Sequence, residues 1–272
     1  MRESLHKDAK IGLIHFMAYP TTMKGEGPGL ETIRKIALDE YFDAVEITCI
    51  KDPETRKAVK KALDTAHMAV AYGGQPRLLT QGLNINDLDA AGRAKALATL
   101  KEGIDEAYEM GAAGFAFLSG KYEENRKEEA YEALLASTRE LCAYAKSKGS
   151  IKVVHEIFDF DVEKKSLVGP VSLAKRYAED IRKDFDNFGL MVDLSHLPLV
   201  RESAKQAILP IKDHLVHAHL GNCVVKSKDL PAYGDQHPRF GFPGGENDVA
   251  EVVEYLRVLL DIGFLNEKDQ PF

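Results

Sequence analysis

The sequence predicts an α/β protein with the architecture of a (β/α)8 barrel. Short apolar, β-branched segments alternate with longer segments of helical periodicity, and strand centres recur at intervals of roughly 25 to 45 residues. No linker rich in Pro or Ser and no low-complexity tract interrupts this alternation. We therefore expect residues 1–272 to form a single domain of repeated βα units.

Seven segments have the composition of strands that are buried on both faces, and helices are predicted between them. The strands are residues 11–16, 44–48, 69–73, 114–118, 151–157, 189–194 and 215–220, and the helices are residues 30–40, 53–67, 88–110, 124–148, 170–187, 199–208 and 247–262. Glycines lie where several helices should end: Gly111, Gly149, Gly189 and Gly263. If the chain ends at Phe272, where an eighth strand would begin, the eighth strand is missing and we expect an unfilled gap between the first and seventh strands.

The positions of polar residues distinguish a barrel from a doubly wound open sheet, which would show the same alternation. Acids and histidines collect at the carboxyl ends of the later strands, in the segments 155–156, 193–196 and 217–219. In a barrel these ends converge on one mouth, where active sites lie. The polar pattern therefore favours the barrel.

Composition and charge indicate a soluble, cytoplasmic protein with a small-molecule partner. Residues 1–10 lack the apolar stretch of a signal peptide, and no segment approaches the ~20 apolar residues that span a bilayer, so no membrane partner is expected. Cys49, Cys142 and Cys223 form no CxxC motif and are predicted to be reduced thiols. The formal net charge of -7 argues against a nucleic-acid partner and leaves a homo-oligomer open.

Three residues at strand ends are candidate metal ligands. Glu156 ends an otherwise apolar strand, and a buried carboxylate is costly unless it is paired or bound to a metal. Asp193 repeats this situation one βα unit later, and His196 follows three residues on. His217 and His219 share one face of the seventh strand, with His219 nearer the mouth. Two carboxylates and one imidazole suit one divalent ion, such as Mn²⁺, Mg²⁺, Co²⁺ or Zn²⁺, whereas an ordinary ion pair is the alternative for each carboxylate.

The ordered set of a Glu on the fifth strand, Asp-x-x-His after the sixth and His-x-His-x-Gly on the seventh resembles the xylose-isomerase-like TIM-barrel superfamily. That superfamily holds sugar isomerases, keto-sugar 3-epimerases, inosose dehydratases and the endonuclease IV group of AP endonucleases. The resemblance spans nearly the whole chain and implies that Glu156, Asp193 and His219 bind the metal. It also implies that Glu156 acts as an acid/base group and that His196 contacts the substrate. The fourth ligand of these families, a glutamate on the eighth strand, has no counterpart in this sequence.

The loop 234–241 is similar to the Asp-x-His loop that binds metal in the AP endonucleases. Asp235 and His237 are therefore candidate contacts of the metal or the substrate, with an ordinary polar loop as the alternative. The glycines of this loop permit sharp changes of direction, so it could also move as a lid. Against a nuclease, the two early-strand histidines of that family are not evident in the third and fourth strands.

Four more residues are candidate substrate contacts. Tyr72 and Gln75 lie near the end of the third strand and could bind hydroxyl groups. Lys121 and Arg239 lie in loops and could hold a phosphate or a carboxylate, although lysines and arginines in loops are commonly solvated.

The leading functional hypothesis is a metal-dependent isomerase or epimerase of a sugar, sugar acid or related polyol ketone, acting in carbohydrate metabolism. One alternative is a metal-dependent lyase or dehydratase of the inosose type. A ligand-binding barrel without catalysis is another, and an AP-endonuclease-like hydrolase is the least favoured. The number of bound metal ions separates these classes, because a nuclease of that type needs two or three.

Overall fold

A computed structural model describes residues 4–271, in which seven parallel strands form one sheet in sequence order. The strands are β1 (Gly12–Ile14), β2 (Ala44–Ile47), β3 (Ala69–Gly73), β4 (Gly114–Phe117), β5 (Lys152–Glu156), β6 (Phe188–Asp193) and β7 (Leu215–His219). All seven lie inside the predicted segments except for one residue at the start of β6. The predicted fold class is confirmed, and so is the absence of an eighth strand from residues 4–271.

Helices follow the strands and cover the outside of the sheet. They are α1 (His15–Ala18), α2 (Gly29–Ala37), α3 (Pro53–Thr65), α4 (Gln75–Leu79), α5 (Ala90–Met110), α6 (Lys127–Lys148), α7 (Val171–Arg182), α8 (Leu197–Val200), α9 (Ala204–Ile208) and α10 (Val249–Asp261). Local sequence explains several of their ends: the Asp52 carboxylate accepts the Thr55 amide at the start of α3, and Gly111 ends α5 with a φ of 72°. Among residues 4–271, no helix has the length and apolar character that a membrane span requires.

The sheet curls into an open barrel. Side chains of β2 and β7, which are five strands apart in the sheet order, meet inside it: Glu46 Oε2 lies 2.9 Å from His219 Nε2. The main hydrophobic core fills the layer between sheet and helices, whereas Ala116, Val154 and Met191 form a small separate cluster inside the barrel.

The curl leaves a gap between β1 and β7. No ladder joins these two strands, and a cavity of about 580 Å³ lies between them. Apolar side chains of β1, β2 and α10 line much of it, and His219 and His237 border it. The gap therefore leads from the side of the barrel to the histidines at its mouth.

Two local predictions were wrong. Gly189 does not end a helix, because α7 already ends at Arg182 and Gly189 is the second residue of β6. A Cβ at this position would lie 2.4 Å from the Val216 side chain, so the glycine allows β6 and β7 to pack closely. His15 does not continue β1; it begins α1, and its Nε2 lies 2.7 Å from the Thr32 hydroxyl.

Candidate metal centre

The three candidate ligands are the last residues of three neighbouring strands. Glu156 ends β5, Asp193 ends β6 and His219 ends β7, and all three side chains are buried. His219 Nδ1 lies 3.6 Å from Glu156 Oε1 and 3.7 Å from Asp193 Oδ2. Ligand atoms about 2.1 Å from one ion are separated by roughly 3.0–3.5 Å at octahedral or tetrahedral angles. The observed spacing is therefore close to that of a coordination sphere.

A second group of polar atoms joins this set from the loop after β7. His237 Nε2 lies 3.3 Å from Asp193 Oδ2 and 3.0 Å from Ser195 Oγ. Its Nδ1 lies 3.4 Å from Asp235 Oδ1, which is also 3.2 Å from His196 Nε2. The loop thus brings Asp235 and His237 to the mouth, in contact with the Asp-x-x-His element.

Several buried atoms of this group have the chemistry of metal or substrate ligands. His196 Nε2 and His237 Nδ1 both face Asp235 Oδ1 as ion pairs, yet none of these three atoms has a well-aligned hydrogen bond among the described residues. His196 Nδ1 contacts the Ile157 carbonyl at 2.8 Å and so donates to it, which directs Nε2 into the group. Buried polar atoms that lack a well-formed hydrogen bond are costly. The donor set fits a divalent cation or a polar substrate, either of which would satisfy these atoms.

The pKa values of the group reflect opposite charges held close together. Burial alone would raise the pKa of Asp193, but positive charge on His196 and a hydrogen bond from His237 lower it. Burial alone would lower the pKa of His196, but Asp235 and Asp193 raise it to about 10. The pKa of His219 is raised in the same way by Glu46 and Glu156. Protons on the imidazoles balance the carboxylates here, and a bound cation would replace those protons.

Two residues of the site were not singled out from the sequence as ligands or contacts. Glu46 lies on β2 below the ligands, and its Oε2 is 2.9 Å from His219 Nε2 and 3.3 Å from His217 Nε2. Glu46 is also a lone carboxylate in an apolar strand, so the cost of burying it could have marked it as a site residue, as for Glu156. Lys164 lies in the loop after β5, and its Nζ is 3.3 Å from Asp235 Oδ2. No local pattern indicates this contact.

Gln75, a predicted substrate contact, lies inside the site as a partner of a candidate ligand. Its Nε2 donates to Glu156 Oε2 at 2.7 Å. The short helix α4 was not predicted, and it begins at Gln75 with Pro76 in its first turn. Gln75 Oε1 is buried without a hydrogen-bond partner among the described residues.

The three other predicted substrate contacts lie elsewhere. Tyr72 is wrong as a contact at the mouth: it is fully buried on the helix side of the sheet, where it stacks on Phe115 and accepts from Arg77 Nε at 2.9 Å. Strand alternation explains this, because the neighbouring Gly73 faces the interior. Lys121 is exposed, and its described contacts are made by its backbone carbonyl. Arg239 is exposed at the border of the cavity between β1 and β7.

The protein is therefore an open parallel α/β barrel. Its candidate metal ligands, which are carboxylates and imidazoles, lie together at the carboxyl ends of the strands. A sequence profile of the xylose isomerase-like TIM barrel family, which also bears the name AP endonuclease family 2, matches residues 35–266. The chain belongs to this family. A comparison with characterised protein sequences found no match.

Solved structures with the same fold include sugar epimerases. D-psicose 3-epimerase from Clostridium cellulolyticum H10, solved with D-tagatose, is 18% identical with a TM-score of 0.69, covering 94% of this chain and 82% of its own. The 3-keto-D-glucoside 4-epimerase from E. coli is 18% identical with a TM-score of 0.62, covering 92% and 87%. A family 2 AP endonuclease from Brucella melitensis is 15% identical with a TM-score of 0.66, covering 88% and 85%. At these identities the likeness is one of fold.

Proposed function

We propose that this protein is a divalent-metal-dependent isomerase or epimerase of a sugar, sugar acid or related polyol ketone. The observation that carries the proposal is the convergence of Glu156, Asp193 and His219 with two further histidines at one barrel mouth. Membership of the xylose isomerase-like family and the fold likeness to sugar 3- and 4-epimerases support it.

Glu156, Asp193 and His219 would hold one ion, and Mn²⁺, Mg²⁺, Co²⁺ and Zn²⁺ are the candidates. Asp235 and His237 extend the same donor set and would complete the shell or contact the substrate. When bound, the ion would polarise a substrate oxygen and lower the pKa of the adjacent C–H.

The side chains supply the proton transfers and the orientation. Glu156 is assigned the acid/base role at the substrate carbon, and the Gln75 amide fixes its carboxylate by donating to Oε2. His196 Nδ1 donates to the Ile157 carbonyl, so Nε2 is the nitrogen that faces the substrate, and it donates to a substrate oxygen when the ring is charged. The ring of Phe158 packs against that of His196, with the two ring centroids 4.2 Å apart.

Deuterium exchange tests this function directly. The protein is stripped with a chelator, reloaded with each ion in turn and incubated in D2O with ketohexoses, ketopentoses and an inosose, and NMR follows the products. We expect deuterium at the carbon next to the carbonyl only after reloading, and none with Glu156→Gln. The matched control is Glu106→Gln, which alters a buried carboxylate paired with Arg77 on the outside of the sheet.

Other outcomes identify other functions. Loss of water from the inosose without exchange into a recovered epimer would indicate a lyase. Binding of two or three ions together with cleavage of DNA at abasic sites would indicate a nuclease. If no substrate shows exchange with any ion, the isomerase assignment is wrong.

A further inference from the structure

A carboxylate lies on the far side of His219 from the candidate ligands. The two ring nitrogens of His219 face different groups: Nδ1 faces Glu156 and Asp193, whereas Nε2 lies 2.9 Å from Glu46 Oε2. The structure thus places carboxylate oxygens on both sides of one imidazole.

The geometry assigns each nitrogen of His219 a separate task. A histidine binds a metal through an unprotonated nitrogen, and the other nitrogen then carries the proton and donates it to a partner. Glu46 Oε2 is an acceptor at the right distance from Nε2, and a carboxylate is a stronger partner than a neutral group. A proton held at Nε2 leaves Nδ1 free to bind on the side where Glu156 and Asp193 lie.

The surroundings of Glu46 hold its carboxylate in this position. Its side chain is buried inside the barrel, and His217 Nε2 contacts the same oxygen at 3.3 Å. Gly73 on the adjacent strand leaves space for it, because a Cβ there would lie 2.8 Å from Glu46 Oε1. Burial of a carboxylate in a barrel interior is costly. A packing role alone would be filled better by an apolar residue.

We propose that Glu46 is a positioning residue of the metal centre, which accepts the Nε2–H of His219 and so presents Nδ1 to the ion. This inference rests on the proposed metal site and names a residue outside its ligand set. His217 Nε2 lies 3.3 Å from the same carboxylate oxygen and 3.1 Å from His219 Nε2, so with a proton on this nitrogen it donates to Glu46 and does not accept from His219.

The same atoms allow an alternative in which Glu46 is itself a metal ligand. Glu46, His217 and His219 could themselves surround an ion, since one ligand atom from each lies within 4.8 Å of the others. An ion held there, alone or beside a second one, would bind His219 through Nε2, so that nitrogen would carry no proton. The positioning role requires a proton on Nε2 and an ion on the side of Nδ1.

The experiment measures Co²⁺ binding to the full chain in three variants. Glu46→Gln keeps an oxygen that accepts the N–H but loses the charge, and Glu46→Leu removes the acceptor. Glu106→Gln is the matched control, because it alters a buried carboxylate that contacts Arg77 and the Ile50 amide and touches no ligand. Affinity is read from the visible absorption of bound Co²⁺ in competition with a chelator. Thermal unfolding of the metal-free variants reports their stability.

We expect Co²⁺ affinity to fall in the order wild type, Glu46→Gln, Glu46→Leu, with a total loss of about 10- to 100-fold. The Glu106→Gln protein should unfold at a lower temperature yet bind Co²⁺ as the wild type does. NMR of the Co²⁺ protein should show one exchangeable, paramagnetically shifted imidazole N–H that exchanges slowly in the wild type and rapidly in Glu46→Leu. A purely structural Glu46 would change the unfolding temperature without changing that proton.

Affinity within about threefold of the wild type in both Glu46 variants would overturn the inference. So would a stoichiometry that drops from two ions to one, because Glu46 would then be a ligand. A wild-type chain that binds no Co²⁺ would remove both proposals. If the Co²⁺ affinity depends on Glu46 as expected but the protein turns over no ketose, only the proposed reaction is wrong.

Discussion

At the scale of single residues, buried charge is the feature that marks the candidate site. Glu156 and Asp193 end apolar strands, and both are buried. Their charges are balanced by imidazoles that lie within 3.3–3.8 Å in the described structure. The imidazoles can lose their protons when one carboxylate is removed, so no uncompensated charge stays buried and the change should affect what the site binds more than how the chain folds.

We predict that Asp193→Asn lowers the content of bound divalent metal by roughly tenfold or more, because a neutral amide is a poor ligand for a hard cation. The amide oxygen can still accept the Ser195 amide hydrogen, so the local turn should persist. Elemental analysis after dialysis against the metal measures the content, and far-UV circular dichroism checks the fold. The matched control is Asp89→Asn, which alters an N-cap carboxylate of α5. Equal metal content in both variants would show that Asp193 is not a ligand.

The burial of His155 predicts that the stability of the folded chain depends on pH. It alternates with Glu156 on β5 and packs against the rings of Phe117 and Tyr177, and neither of its ring nitrogens has a hydrogen-bond partner among the described residues. Burial lowers its pKa from 6.5 to about 3. The unfolded chain therefore binds a proton at this residue between these pH values while the folded chain does not. Its contribution to stability is fully present above pH 6.5 and is lost as the pH falls.

We expect the wild type to lose about 2 kcal/mol of its free energy of unfolding between pH 7.5 and pH 5 through this histidine alone. Urea denaturation of His155→Leu over that range should show a pH dependence weaker by this amount. His67→Asn, at an exposed position with a φ of 55° that asparagine tolerates, is the control and should keep the wild-type slope. Identical slopes for all three proteins would mean that His155 is charged in the folded state.

At the scale of elements, the connection after β7 is held against the connection after β5. Glu163 joins them: its Oε2 accepts the Asp235 amide at 2.7 Å, and its Oε1 accepts from Lys164 Nζ at the same distance. Gln236 Nε2 lies 3.1 Å from both carboxylate oxygens. These contacts hold the loop that carries Asp235 and His237 over the mouth.

We predict that Glu163→Ala loosens this loop and raises the rate of trypsin cleavage after Arg239 by roughly threefold or more, because local opening controls proteolysis. The free energy of unfolding should change little, since the Glu163 side chain is only partly buried. Mass spectrometry of timed digests measures the cleavage. Glu26→Ala, which breaks an exposed ion pair with Lys51 in another loop, should leave the rate unchanged. A loop equally resistant in both variants would be held by other contacts.

At the scale of the whole molecule, the open side of the barrel is the feature that distinguishes it from a closed one. β1 pairs only with β2 and β7 only with β6, so each has one edge without a ladder among residues 4–271. The edges of β4 are paired on both sides. An unpaired edge exposes backbone groups and reduces the free energy needed for local opening.

We expect hydrogen–deuterium exchange to reflect this difference. Amides of β4 should exchange only through global unfolding, whereas amides of β1 should exchange faster by about tenfold or more. Mass spectrometry of peptic fragments from residues 11–16 and 114–118 gives the comparison, and β5 provides a second centrally paired strand as a control. Equal protection of β1 and β4 would indicate that another segment or another chain pairs with the open edge.

Local patterns were sufficient to locate the strands and to indicate a cluster of polar residues at their carboxyl ends. Short runs of apolar residues located all seven strands, although the two edge strands are less buried than predicted: no residue of β1 is fully buried, and β7 is fully buried only at its two ends. A carboxylate at the end of such a run indicates a site by its cost alone, as with Glu156 and Asp193. Short helices such as α4 were missed because a single turn has too few residues to show a period.

Contacts between distant parts of the chain required the tertiary structure. Glu46 and His219 are 173 residues apart, and Gln75 and Glu156 are 81 residues apart. Which of these pairs meet depends on how far the sheet curls and on the stagger between its strands, and neither quantity is encoded in the pattern of any one segment. Strand alternation faces Tyr72 toward the helices and Gly73 toward the interior, and the packing of β3 on β2 leaves Gly73 beside Glu46.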